Sequence, residues 1–105
     1  MPRTSRPAHQ LRRAIQAASV PLPGTGGEGS ARTRLRVRGH TLQVSVSFLT
    51  LSQVPGRPGR RTLILSAARA DGRAATRRDG EALARLLGTP ARIWTAGARV
   101  CLRTA

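Results

Sequence analysis

Lysine, asparagine and tyrosine are absent from this chain. All three are encoded by AT-rich codons, so a GC-rich coding sequence accounts for arginine in place of lysine. The identity of the basic residue is therefore no argument for guanidinium chemistry. Acids are nearly absent too: Glu28, Asp71, Asp79 and Glu81 stand against 19 arginines, for a net charge of +15. Codon usage does not explain that shortage, because GC-rich codons supply Asp and Glu. A single cysteine, Cys101, excludes an internal disulfide and a cysteine-based zinc site. His9 and His40 are the only histidines and show no metal-ligand spacing, so neither metal nor cofactor is expected. No apolar run approaches the roughly 20 residues of a membrane span, which predicts a soluble chain. The expected location is cytoplasmic. Mitochondrial import is the alternative, because no acid precedes Glu28.

A chain of 105 residues holds one core, and only Phe48 and Trp94 bring aromatic rings to it. The core must then be built from Leu, Val, Ile and Ala. A charge of this size and sign creates a long-range field that selects polyanions, nucleic acid first among them. An acidic protein partner is a second class, and self-association is left open.

Residues 1–31 read as a basic N-terminal arm or helix followed by a Pro/Gly linker, and residues 32–105 as a single α+β domain. Leu11, Ile15 and Ala18 recur at helical spacing, with Pro7 suited to a first turn. This helix is either an arm on nucleic acid, a transit peptide or an element packed on the sheet. Gly24–Gly29 lacks a preceding strand and a following Lys-Ser/Thr, so it reads as linker, not as a phosphate-binding loop.

Leu35 and Val37 alternate with Arg34, Arg36 and Arg38, which predicts a strand with one apolar and one basic face, turning at Gly39-His40. Thr41–Ser52 forms the next strand, with Leu42, Val44, Val46 and Phe48 inward and Gln43, Ser45 and Ser47 outward. The parity switch at Leu49 and Leu51 predicts a bulge or bend. Thr62–Arg69 reads as a strand buried on both faces. Thr76 with Asp79 forms an approximate capping box for a helix running to Leu87 and stopped by Gly88 and Pro90. Two short strands close the chain. One turns Ala91 and Ile93 inward, the other Val100 and Leu102, and the opposite parity carries Arg92, Trp94, Arg99, Cys101 and Arg103. The fold class is α+β: a small antiparallel sheet in the order β-β-β-α-β-β, preceded by a short helix. That order fits an oligonucleotide-binding (OB-like) barrel or an open sheet with a helix on one face.

The expected function is nucleic-acid binding of low sequence specificity through arginine–phosphate contacts, with DNA slightly ahead of RNA. The residues expected to carry it are Arg34, Arg36 and Arg38, then Arg57, Arg60 and Arg61 in a hairpin loop. Arg92, Trp94, Arg99 and Arg103 join them as a stacking platform set among guanidinium groups. Gly56-Arg57-Pro58 resembles the core of the AT-hook, a minor-groove arm whose usual form is Arg-Gly-Arg-Pro; Pro55 stands where its first Arg would be. The alternative is enzymatic. Size, charge and element order resemble the small basic endoribonucleases of toxin–antitoxin pairs, which implies RNA cleavage with His40 as the first catalytic candidate. Three of the four acids, Asp71, Asp79 and Glu81, are accounted for by turn and helix-start chemistry, which weighs against that alternative.

Overall fold

Alternating strands and two amphipathic helices assemble as a two-layer α+β fold. The computed structural model describes residues 6–19, 29–51 and 60–104, with backbone alone at 49–51, 60 and 61. In chain order the elements are α1 (Arg6–Ser19), β1 (Ser30–Val37), β2 (His40–Leu51), β3 (Arg60–Arg69), α2 (Arg77–Leu87), β4 (Ala91–Ala96) and β5 (Arg99–Thr104). The strands form one antiparallel sheet in the order β1-β2-β3-β5-β4.

The sheet does not close into an OB-like barrel. Closure would pair β4 with β1, and these are instead its two edges. The physical reason is the position of the helices. α1 packs on β1 and β2, α2 packs on β4 and β5, and the two touch each other, so a helical layer covers the face that a barrel would turn inward. Among the described residues no helix is long and apolar enough to cross a membrane.

The core lies between the layers. Leu35, Val37, Leu42, Val44, Val46, Leu65, Ala67, Val100 and Leu102 come from the sheet and meet Leu11, Ala14 and Ala18 of α1 and Leu83 of α2. The N-terminal helix is thus packed on the sheet, its buried stripe running through Ala14 while Ile15 sits at the margin. Small side chains on that stripe let the helix approach the strands closely.

Helix α2 begins as its sequence predicts. Thr76 Oγ1 accepts the Asp79 N–H at 3.4 Å, and Asp79 Oδ2 accepts the Thr76 N–H at 2.9 Å, the two halves of a capping box. Gly88 closes the helix, its N–H donating to Ala84 O at 3.0 Å. Gly80 lies within the helix, where glycine normally weakens it by about 1 kcal/mol. Here a Cβ would stand 2.6 Å from Ile93 Cγ2 and 2.8 Å from Val100 Cγ2, so the glycine is what allows the helix to sit down on β4 and β5.

Three strand-level expectations are corrected. β1 ends at Val37, and the two-residue loop is Arg38-Gly39, with φ of 54° and 82°. Positive φ at both positions is the I′ geometry that matches strand twist. Next, β2 and β3 pair without a break from Leu42–Arg69 to Leu51–Arg60, so no bulge occurs where the apolar parity switches. The last β1 and β5 partners of this pair are Ser30, opposite Ser47, and Arg103, opposite Ile64. Beyond them the two strands continue as a ribbon with no five-stranded face to enforce alternation. Finally, β3 is fully buried on the face where Leu65 and Ala67 meet the helices and only partly on the other, where Thr62 is buried but Ile64, Ser66 and Ala68 are half-buried.

Candidate nucleic-acid interface

Because both helices lie on one side, the other face of the sheet has no covering layer among the described residues. Strand alternation assigns its side chains. β1 contributes Arg32, Arg34 and Arg36, and β2 contributes Gln43, Ser45 and Ser47. β3 adds Ile64 and Ser66, β5 adds Arg99, Cys101 and Arg103, and β4 adds Arg92 and Trp94. Arg34 and Arg36 on one edge therefore share a face with Arg92, Trp94, Arg99 and Arg103 on the other. Sequence spacing could not join these two groups, because the β3–β5 pairing that does so skips over α2.

The face has a definite relief. Long arginines stand along β1 and along β5 and β4, while the central strands carry short side chains. A shallow trough of about 660 Å³ lies between them, lined by Arg32, Arg34, Gln43, Ser45 and Arg99. Arg99 is folded over β3: its Nε donates to Ser66 Oγ at 2.7 Å and its Nη2 to Ser66 O at 3.4 Å. Trp94 is 43% exposed and is the exposed large hydrophobic residue of the described chain. A core-anchor role for this tryptophan is thereby ruled out; Ile93, its neighbour, takes the inward position.

The electrostatics of the two faces differ. Asp71, Asp79 and Glu81 all lie away from the open face, beside Arg69, the Arg38–His40 corner and Arg77 respectively. Among the described residues no carboxylate comes within 4 Å of Arg32, Arg34, Arg36, Arg92, Arg99 or Arg103. Arg92 is moreover the direct cross-strand partner of Arg103. Side chains so placed have Cβ atoms about 5 Å apart, and like charges there repel.

Arg38 does not belong to this face. The left-handed turn takes it out of the β1 alternation, and its Nη1 lies 3.5 Å from Asp79 Oδ1 on the helix side. His40 also faces the helices. Its Nε2 is 2.8 Å from Asp79 Oδ1 but not aligned as a directed hydrogen bond. Asp79 itself is fully buried. Burial alone would raise its carboxyl pKa; the Thr76 backbone N–H and the adjacent His40 outweigh that and leave it below the ordinary value. In the Asp71 turn, hydrogen bonds from the Arg69 side chain and the Arg73 N–H likewise hold the carboxyl below its ordinary value. Arg38, His40, Arg69, Arg77 and Arg78 line one depression at this end of the fold.

Arg57, with the loop around it that resembles an AT-hook, lies outside the described residues, as do the side chains of Arg60 and Arg61. The linker before Gly29 and residues 1–5 also lie outside them. Sequence reasoning passed over Arg32, Gln43, Ser45 and Ser66 as site residues. Arg32 is in phase with Arg34, and Gln43 and Ser45 share the outward parity of β2, so the signal was present for three of them. Compared with protein-family models, curated proteins and solved structures, the chain finds no match.

Proposed function

We propose that this protein binds nucleic acid through the open face of its sheet, mainly by arginine–phosphate contacts and with low sequence specificity. One observation carries the reading: Arg32, Arg34, Arg36, Arg92, Arg99 and Arg103 share a face that holds no acid among the described residues. Apart from the bonds of Arg99 to Ser66, no hydrogen bond or ion pair among the described residues supports that concentration, and the Arg92–Arg103 pairing opposes folding. A polyanion supplies the missing counter-charge. The face lacks asparagine, and its single glutamine, Gln43, gives little capacity to read base edges.

Retention of the purified protein on DNA and RNA across a salt series tests the reading. Neutralising about six phosphates gives a log–log slope of affinity against salt of about −4 on a single strand and about −5.4 on B-DNA. Affinity that stays flat with salt removes the phosphate mechanism. Absence of retention on either polymer, with tight binding to an acidic protein, transfers the face to a protein partner.

A second reading, RNA cleavage, is favoured by the carboxylate of Asp79 beside His40 in a depression that Arg38, Arg69 and Arg78 also line. An imidazole with guanidinium groups beside it is a combination that general base catalysis of phosphodiester cleavage can use. Cleavage in metal-free buffer, lost in His40→Ala while retention on RNA persists, would establish it.

A further inference from the structure

We infer that the ligand of the open face is a single strand, laid across the β-strands with a base stacked on Trp94. This rests on the nucleic-acid reading above and names the form of the polymer.

The strand registers place Trp94 opposite Cys101, Cys101 opposite Ser66, Ser66 opposite Ser45 and Ser45 opposite Arg32. These residues make one row perpendicular to the strands, crossing the sheet from edge to edge. At about 4.8 Å between neighbouring strands, the row is about 19 Å long. Its interior side chains, Cys101, Ser66 and Ser45, are short. An aromatic ring stands at one end and a guanidinium group at the other. Arg103 and Arg92 flank the row on one side, and Arg99 with Arg34 on the other. The result is a low path with cations along both margins, one of which, the Arg99 guanidinium, reaches over Ser66 at the middle of the row.

A duplex meets such a surface only where its minor groove is bent open, at a cost in unstacking. Its major groove admits a helix or a two-stranded ribbon, not the face of a five-stranded sheet, and its bases are already stacked on one another. A single strand presents both of the groups that the path can take. Its phosphates reach the marginal arginines, and an unpaired base has a free face for an indole ring. The exposure of Trp94 on a strand whose inward positions go to Ala91 and Ile93 is then a binding feature rather than a packing failure. Ser45 adds a hydroxyl group that bonds sugar or base without selecting a sequence, while Ser66 Oγ holds the Arg99 guanidinium over the path.

The composition provides the probe. With one tryptophan and no tyrosine, the intrinsic fluorescence of the chain is that of Trp94. The full chain is titrated with an oligothymidylate of about 12 nucleotides, the matching oligouridylate, and a duplex of equal length, a size within the range such sites occupy. Fluorescence reports on the indole, and anisotropy of a labelled oligonucleotide reports binding independently. The expected result is saturable quenching by the single strands, with affinity about tenfold above that for the duplex. Trp94→Ala should lower single-strand affinity by about tenfold, and Trp94→Phe should restore most of it. The two single strands separate DNA from RNA.

Binding of single strands without quenching, or unchanged affinity in Trp94→Ala, overturns the stacking geometry and leaves phosphate binding intact. Equal or tighter binding of the duplex overturns the single-strand assignment. If none of the three polymers binds, the nucleic-acid reading itself fails.

Discussion

His40, the first residue of β2, places its Nε2 2.8 Å from Oδ1 of Asp79, the third residue of α2. One buried carboxylate thereby completes a helix cap and ties that helix to the β1–β2 hairpin. Asp79 Oδ2 serves Thr76 while Oδ1 faces His40 and Arg38, so each oxygen has a separate partner set.

Removing this carboxylate should be among the costliest single changes in the chain. Asp79→Ala abolishes half of the capping box, about 1 kcal/mol, and removes the carboxylate that faces His40 and Arg38. An unpartnered polar group adds about 1–3 kcal/mol. Urea unfolding should show a loss of about 2–4 kcal/mol; a loss below about 0.5 kcal/mol would mean that the pair is incidental.

The same carboxylate gives a direction to the pH dependence. The Asp79 pKa in the fold lies below its ordinary 3.8. The stability it contributes is therefore complete above that ordinary value and disappears as pH falls through the lower, folded value. Unfolding midpoints of the wild type and Asp79→Ala should differ by a constant amount from about pH 5 down to about pH 4. Below that the difference should narrow. A gap that widened on acidification would show that the carboxyl is held neutral in the fold.

Much of this architecture was legible in local pattern. Period-two alternation marks β1 and the inward residues of β2, and the Thr76–Asp79 spacing marks the start of α2. Other features depend on partners far along the chain. Nothing near Asp79 in sequence announces that it is buried against His40. Gly80 counts against a helix until Ile93 and Val100 are seen to occupy the space of its missing Cβ. Arg38 looks in phase with Arg34 and Arg36, and only the left-handed turn takes it to the other side. Most arginines of the candidate interface are legible in the sequence, but as two unconnected groups. The β3–β5 pairing that unites them follows an intervening helix, and alternation within a strand carries no information about it.

The sidedness of Arg36 and Arg38 separates two roles for residues two positions apart. Arg36 projects from the open face, whereas Arg38 reaches Asp79 behind it. Arg36→Ala should weaken nucleic-acid binding and reduce the salt slope by about 1, with little change in stability. Arg38→Ala should leave the slope unchanged. Its effect on stability is also small, because an ion pair with a partner 42% exposed contributes less than about 1 kcal/mol. Equal slope changes from the two substitutions would mean that both faces contact phosphate.

Arg92 and Arg103 offer the sharpest contrast between folding and binding, because they stand directly opposite each other on adjacent strands. Arg92→Thr removes the like-charge repulsion and introduces a β-branched side chain suited to an edge strand. The variant should be more stable than the wild type by about 0.2–1 kcal/mol in dilute buffer. Salt screens exposed charges over about 8 Å at physiological ionic strength and about 3 Å at 1 M, so the gain should shrink as salt is added. Nucleic-acid affinity should move the other way, falling with loss of one phosphate contact. Stability measured by urea unfolding at low and high salt, set against binding at matched salt, tests both signs. A variant that gained stability and kept full affinity would place Arg92 outside the binding surface.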